Sequence, residues 1–296
     1  MSGKKLLFIG YGDIAGRTSR QLATNGYSIT GIARTPRQLP EGVSQWLGSA
    51  QDAEILNKIS QTAFDTAVIT LTPAARSDEG YKAGYVDTLQ ALSNAWQASN
   101  TPPKCVIFVS STSVYGQNEG EWVDEISTCK PTNYSGQRIL EAEKLALSLA
   151  DNGTTTSCIV RFSGIYGPGR DQLLRQVLAG KAGTEAYTNR IHADDCAGVL
   201  AHLIQLHASG QQLASHYLAS DCEPVTAKAT RQWLAKQLGL PETHLKHDPA
   251  AKARAGSKRC NNKRLLKSGY TFIYPSYREG YKDIIAIFKQ QAQSQQ

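Results

Sequence analysis

Long apolar runs are absent from the 296-residue sequence. No stretch approaches the roughly 20 apolar residues that a membrane-spanning helix needs. The apolar segment Lys4–Ile9 is too short for a signal peptide and predicts a strand instead. We therefore expect a cytoplasmic protein with no membrane partner. Hydrophobic residues at 41% and charged residues at 19% are typical of a globular protein of one or two domains.

Clustered cysteines are lacking as well. The six cysteines are widely spaced, and they are Cys105, Cys129, Cys158, Cys196, Cys222 and Cys260. None forms a Cys-x-x-Cys pair or a cysteine–histidine cluster, so we expect reduced thiols and no metal site. His192 and Asp194 have no third ligand at suitable spacing. We expect these two residues to open a helix, where capping and the helix dipole favour them.

Positive charge is concentrated in one segment. The net charge is +7, and residues 246–267 hold eight basic residues against one acid, which equals the whole excess. No aromatic residue interleaves these charges and no nucleic-acid motif accompanies them, so a nucleic-acid partner is disfavoured. A solvated helical face and a site for an anionic small-molecule substrate both remain open. The sequence also leaves open whether the chain acts alone or as a homodimer.

The first predicted strand leads directly into a glycine-rich loop. Residues 10–15 read Gly-Tyr-Gly-Asp-Ile-Ala, and an amphipathic stretch follows. A GxGxx(G/A) element between a strand and a helix is typical of a dinucleotide site, although a plain tight turn is the alternative. The pyrophosphate would lie on free amides at the helix N-terminus. A carboxylate in this loop is tolerable only if it turns away, for instance to cap the helix. We assign five loop residues to the cofactor: Gly10, Tyr11, Gly12, Asp13 and Ile14.

Acidic residues are missing after the second predicted strand, Tyr27–Ala33. Arg34 and Arg37 follow it, and no Asp or Glu lies between Tyr27 and Pro40. An acid at this place would bind the ribose 2′-hydroxyl of NAD, whereas arginine suits a 2′-phosphate. We therefore predict that NADP is preferred over NAD, with solvated surface arginines as the alternative.

Strand and helix signals alternate along the first half of the chain. This alternation predicts βαβ units and a doubly wound parallel α/β sheet covered on both faces. The later strand segments are 67–71, 105–109 and 157–162, and the helical segments are 81–97 and 135–150. Because ligands bind at the carboxyl ends of such strands, we expect Leu71 and Ser110 to contact the cofactor.

Several motifs occur in a specific order. Ser-Ser-Thr-Ser-Val-Tyr-Gly spans residues 110–116, and Tyr134 stands four residues before Arg138. Arg161 opens an Arg-Phe-Ser-Gly-Ile-Tyr-Gly-Pro-Gly segment, followed by Arg-Ile-His-Ala-Asp-Asp at 190–195 and Tyr-Leu-Ala-Ser-Asp at 217–221. With these motifs the chain resembles the extended short-chain dehydrogenase/reductase family, the NAD(P)-dependent epimerases and dehydratases that act largely on nucleotide sugars.

The resemblance implies a Rossmann-like domain with a smaller mixed α/β substrate domain. We expect residues 1–165, with a return near 190–220, to form the first, and residues 166–189 and 221–296 the second. It also implies NAD(P)-dependent oxidoreductase or epimerase/dehydratase activity on a small hydroxylated or carbonyl substrate.

By the same resemblance, Tyr134 would be the acid/base, Ser111 would orient the substrate oxygen, and Arg138 takes the place of the family's lysine. Arginine keeps the positive charge but cannot pass on a proton. Residues 70–73 and the helix after them also depart from the family pattern, which indicates a divergent branch. Two alternatives follow. Ser111 and Tyr134 would only bond the strand end and cap the helix, or the protein would be an NADP(H)-binding redox sensor without turnover that acts through a protein partner.

Overall fold

A computed structural model describes residues 3–99, 101–246 and 256–293. The strands are β1 (Lys4–Ile9), β2 (Tyr27–Ala33), β3 (Val43–Leu47), β4 (Thr66–Ile69), β5 (Cys105–Ser111), β6 (Glu121–Val123), β7 (Thr156–Phe162), β8 (Gly164–Tyr166), β9 (Tyr187–Thr188), β10 (Arg190–His192), β11 (His216–Ala219), β12 (Val225–Thr226) and β13 (Lys258–Cys260). The helices are α1 (Asp13–Leu22), α2 (Ala53–Ser60), α3 (Asp78–Tyr81), α4 (Thr88–Ser99), α5 (Tyr134–Ser148), α6 (Gln172–Leu178), α7 (Ala193–Ala208), α8 (Ala227–Leu238), α9 (Lys263–Lys267) and α10 (Tyr277–Gln293).

The described residues group into two compact units. The first unit contains residues up to 114, 129–161 and 197–217, and the second contains 115–128, 162–196 and the residues from 218 onward. From the sequence we predicted that residues 115–128 belong to the first domain. These residues belong to the second unit because β6 pairs in parallel with β13, so that Trp122 lies opposite Arg259.

A seven-stranded sheet has the order β11-β7-β5-β4-β1-β2-β3. The pairs β1–β2, β2–β3, β1–β4 and β4–β5 are parallel. This arrangement confirms the predicted Rossmann-like, doubly wound class. The strand order reverses between β1 and β4, and ligands of such sheets bind at the carboxyl ends of the strands at this point.

Apolar side chains of the central strands form the core of the first unit. Leu7, Ile9, Ile69 and Phe108 are fully buried, and Trp96 of α4 packs in the same cluster. Continuous apolar runs are what strands covered on both faces require, which is why these strands were predictable from the sequence.

The helix predicted over residues 81–97 is interrupted. Between α3 and α4 the chain makes a π-helical turn at Lys82–Asp87. The carbonyl of Ala83 accepts a hydrogen bond from Gln51 Nε2 at 2.6 Å, and Gln51 also donates to Thr88 Oγ1 at 2.7 Å. An external donor at a helix carbonyl competes with the regular ladder, and π-turns recur at functional sites.

Three small sheets and several helices form the second unit. The strand pairs are β8–β10, β9–β12 and β6–β13. Its core contains Tyr166, Leu174, Leu234, Tyr277 and Tyr281. No helix in the described ranges is long and apolar enough to cross a membrane.

Candidate functional site

A cleft of about 360 Å³ opens at the carboxyl ends of β1, β2 and β4. It lies where the strand order reverses, as expected for a doubly wound sheet. The cleft is lined by Gly10, Tyr11, Gly12, Ile32, Ala33, Arg34, Arg37, Gly48, Ser49, Ala50, Gln51, Thr70, Leu71, Thr72, Ala74, Ala75, Gly80, Ala83, Gly84 and Thr88. All of these residues belong to the first unit.

Two glycines give the floor of the cleft its shape. Gly10 has φ +91°, a left-handed conformation that favours glycine, and a Cβ there would collide with the carbonyl oxygen of Thr70. Thr70 Oγ1 donates to the carbonyl of Gly10 at 2.6 Å, which fixes the turn. A Cβ at Gly12 would meet no atom within 4 Å. The space beside Gly12 is therefore open to a ligand that a side chain would displace.

Helix α1 presents its N-terminus to this space. Gly12 is the N-cap residue and offers no capping side chain, and the first intrahelical bond runs from the Gly16 amide to the Gly12 carbonyl at 2.9 Å. The first turn of a helix presents backbone amides that the helix itself does not satisfy, so this end of α1 suits an anion. Asp13 Oδ1 accepts from Arg17 Nε at 2.8 Å, so its carboxylate turns along the helix. The loop fits a diphosphate.

Arg34 and Arg37 stand exposed at the end of β2 and line the cleft. Gln45 holds their loop, because its side chain accepts from the Arg37 amide at 3.0 Å and donates to the Thr35 carbonyl at 2.9 Å. No acidic residue is among those that line the cleft. The side chains that line this end of the cleft therefore carry a net positive charge.

Six of the nine residues assigned to the cofactor from sequence line the cleft: Gly10, Tyr11, Gly12, Arg34, Arg37 and Leu71. Asp13 and Ile14 do not line the cleft and lie at the start of α1. Ser110 does not reach the cleft lining. It is 5% exposed, and its hydroxyl donates to Glu143 Oε1 at 2.5 Å. Glu143 in turn is paired with Arg161 (2.7 Å) in a buried ion pair.

The sequence did not indicate that residues with small side chains form one wall of the cleft. Gly48, Ser49 and Ala50 follow β3, and Thr72, Ala74, Ala75, Gly80, Ala83 and Gly84 follow β4. Their position after parallel strands was the available signal. These small residues belong to no recognisable sequence motif. Only the strand order of the sheet shows that they lie at the cleft.

Tyr134 contacts the segment 72–81, which we call the cleft loop. Its hydroxyl donates to the carbonyl of Arg76 at 2.7 Å, and its ring packs edge-on against Tyr81 at 5.6 Å. Asn133, not Tyr134, caps α5 by accepting from the Gly136 amide at 2.8 Å. Ser111 Oγ accepts from the Ser113 amide at 3.1 Å, a contact within the strand end.

Arg138 is held by two acids. Its Nε and Nη2 each donate to Asp78 at 2.8 Å, and Nη1 donates to Glu141 Oε2 at 2.9 Å. The hydrogen bond from Arg138 holds the pKa of Asp78 below its usual range. The same bonds raise the pKa of Arg138, so the guanidinium stays charged while both acids balance it. Neither Arg138, Tyr134 nor Ser111 lines the cleft.

The cleft loop is therefore fixed to α5 at two points. Arg76 and Asp78 bind Tyr134 and Arg138, while Ala74, Ala75 and Gly80 of the same loop line the cleft. Ser77 caps α3 by accepting from the Gly80 amide at 3.1 Å. A substitution of Tyr134 or Arg138 would therefore alter the cleft by shifting this loop.

In the second unit, His192 lies in β10 and is buried. Its Nδ1 accepts from the Asp194 amide at 3.2 Å, and its ring packs against Tyr166 and Tyr274. The described residues contain no group of three His, Cys, Asp or Glu that could hold a metal. The six cysteines are all free thiols.

The described part of the basic segment is not one solvated helical face. Lys258 is buried in β13, Arg259 lies over the rings of Trp122 and Tyr187, and Arg264 lies 3.7 Å from Glu125. Asp248, Lys252 and Arg254 lie outside the described residues.

Comparison with known proteins gives one family and several related proteins. A model of the NAD dependent epimerase/dehydratase family matches residues 10–215. Protein YeeZ of Escherichia coli strain K12 is 27% identical, with 92% of this chain and 97% of YeeZ covered. A solved structure from Methylobacillus flagellatus, provisionally assigned as an NAD-dependent epimerase/dehydratase, is 34% identical with a TM-score of 0.79 and covers 98% of this chain and 100% of that one.

A third match shares the fold at lower identity. The structure of MoeE5 in complex with UDP-glucose and NAD is 22% identical with a TM-score of 0.78, covering 98% of this chain and 100% of MoeE5.

Proposed function

The chain belongs to the NAD dependent epimerase/dehydratase family, and we propose that it catalyses oxidoreductase or epimerase/dehydratase chemistry with NADP(H) bound in preference to NAD(H). The proposed substrate is a small hydroxylated or carbonyl compound, with a nucleotide sugar as the first class to test. The complex of MoeE5 with UDP-glucose supports this choice of class.

The cleft carries the proposal. An uncapped helix start and an open space beside Gly12 suit a diphosphate, and Arg34 and Arg37 suit a 2′-phosphate. A carboxylate would repel that phosphate, and the lining contains none. Each charge-assisted bond from a guanidinium would contribute about 1.5–3 kcal/mol.

The bound nicotinamide would supply or accept the hydride. Tyr134 would exchange a proton with the substrate oxygen, and Ser111 would hydrogen-bond the same oxygen. For this work Tyr134 must leave the Arg76 carbonyl that it binds at 2.7 Å. Arg138 would act by charge and position alone, since arginine does not give up its proton.

One observation favours a second candidate, a cofactor-binding protein without turnover. Arg138 is committed to Asp78 and Glu141, and Tyr134 donates to a backbone carbonyl of the cleft loop. In that candidate these two residues only shape the cleft loop, and the occupancy of the cleft by NADP(H) would signal to a protein partner.

A turnover screen distinguishes the two candidates. Wild-type protein is incubated with NADP⁺ or NADPH and a panel of nucleotide sugars, aldehydes and ketones, followed at the NADPH absorbance and by product chromatography. The enzyme predicts turnover that Tyr134→Phe removes. The sensor predicts NADPH binding with no turnover in either protein, and loss of NADPH binding altogether would contradict both.

A further inference from the structure

The guanidinium of Arg259 lies over two aromatic rings in the second unit. Its Cζ is 5.0 Å from the centroid of Trp122 and 5.0 Å from that of Tyr187. The parallel register of β6 and β13 sets Arg259 directly opposite Trp122. Successive side chains of a strand point to opposite faces, so Lys258 is buried while Arg259 reaches the partly exposed face.

Within the described ranges, the Nε atom of this guanidinium has a hydrogen-bond acceptor and its two Nη atoms have none. Nε donates to the carbonyl of Gly120 at 2.7 Å. Among the described residues, no carboxylate or carbonyl accepts from the two Nη atoms. Glu121, the acid beside Trp122, turns its Oε2 to the amide of Glu119 at 2.7 Å. Stacking on two rings therefore holds a planar cation in place without neutralising it.

The neighbouring tryptophan is accessible. Trp122 is 56% exposed although it lies on a strand. The backbone of Tyr187 is held in place as well, because its amide donates to Ser257 Oγ at 3.0 Å. The cluster thus offers a fork of N–H donors framed by aromatic surface.

We propose that Arg259, framed by Trp122 and Tyr187, is a binding site for an oxyanion group of a small-molecule ligand, either a phosphate or a carboxylate. A guanidinium fork pairs bidentately with both groups. The ligand's identity as a substrate rests on the proposed function, but the site itself does not, since it lies wholly in the second unit.

Pyrophosphate and malonate test the site and separate the two oxyanion sources. Each is titrated calorimetrically into the full chain carrying Gly12→Val, which fills the diphosphate space of the cleft. We expect one of them to bind, and Arg259→Ala to raise its dissociation constant about tenfold. Arg259→Lys retains the charge but loses the fork, and should weaken binding by a smaller factor. If the Arg259→Ala variant does not fold, Arg259→Lys tests the site in its place.

Two controls locate the binding. Lys263→Ala removes one exposed positive charge from α9 and should leave the dissociation constant within about twofold. Trp122→Phe should keep binding but abolish the ligand-induced change in tryptophan fluorescence. The proposal is overturned if neither anion binds, if both Arg259 variants bind like the parent, or if Lys263→Ala weakens binding as much as Arg259→Ala. None of these outcomes depends on cofactor binding.

Discussion

Arg138 grips the carboxylate of Asp78 with two parallel hydrogen bonds, both 2.8 Å long, across 60 residues of sequence. Bidentate pairs of this kind are among the most directional contacts in proteins. Arg138 stands four residues after Tyr134 on α5, and its partner Asp78 belongs to the loop that borders the cleft. The pair therefore connects the proposed catalytic helix to the proposed cofactor site.

Asp78→Asn should loosen the cleft loop. Removing the charge breaks the bidentate pair, and the loop then has to be ordered by the ligand at a cost in affinity. We expect the NADPH dissociation rate, measured by stopped-flow fluorescence, to rise about threefold to tenfold. Glu141→Gln removes a contact of Arg138 outside the loop and should have little effect. Equal dissociation rates in wild type and Asp78→Asn would show that the pair does not control the cleft.

Arg138→Lys tests whether the α5 cation takes part in chemistry. Lysine can pass on a proton and cannot grip Asp78 bidentately, so the enzyme candidate predicts turnover that is maintained or raised. Tyr134→Phe should then reduce the rate at least about a hundredfold. The readout is NADPH oxidation on the active compound from the screen. Turnover that survives Tyr134→Phe would exclude Tyr134 as the acid/base.

Cofactor preference should depend on the arginines after β2. Arg34→Ala removes a donor to the 2′-phosphate, and we expect the dissociation constant of NADPH to rise about tenfold or more while that of NADH stays unchanged. Arg37→Ala should act in the same direction. Arg175→Ala, at an arginine whose side chain is 74% exposed in the second unit, is the matched control. Equal affinity of wild-type protein for NADPH and NADH would remove the basis of the preference.

Burial raises the pKa of Asp221 to about 8, and nearby Arg190 offsets this only in part. Between about pH 4 and pH 8 the folded protein keeps a proton that the unfolded chain, with a pKa near 3.9, has released. The free energy of unfolding should therefore fall as the pH rises, by up to about 1.4 kcal/mol per pH unit. Asp221→Asn keeps the shape without the titration, so its advantage over wild type should grow from pH 5 to pH 7.5.

Urea unfolding at the two pH values measures this effect. Asp151→Asn, at an exposed position, is the reference. Parallel pH profiles for wild type and Asp221→Asn would show that the carboxyl titrates normally.

Local patterns made much of the fold predictable. The apolar strands and the glycine turn at Gly10 are encoded by neighbouring residues, and so the doubly wound sheet and the floor of the cleft followed from sequence. The π-turn after Tyr81 was not predictable, because helical periodicity does not reveal that Gln51 binds the Ala83 carbonyl. The same limit applies to contacts between distant segments.

Two contacts between distant segments were not predictable from the sequence. The sequence identified Arg138 as unusual but gave no sign that Asp78 would hold it, since the pairing depends on how α3 and α5 pack. Likewise, no aromatic residue interrupts the basic segment, yet strand pairing sets Arg259 against Trp122.

The assignment of the cleft to the cofactor is tested most directly by NADPH binding to Gly12→Val, measured by calorimetric titration beside wild type. A branched side chain would fill the open space next to the start of α1 that the diphosphate needs. Gly16→Ala, a change inside α1 whose Cβ would meet its neighbours at ordinary distances of 3.9–4.0 Å, is the matched control and should bind normally. We predict tight NADPH binding by wild type and Gly16→Ala and none by a folded Gly12→Val. Wild-type affinity in Gly12→Val, or no binding by wild type, would contradict the assignment of this cleft to the cofactor.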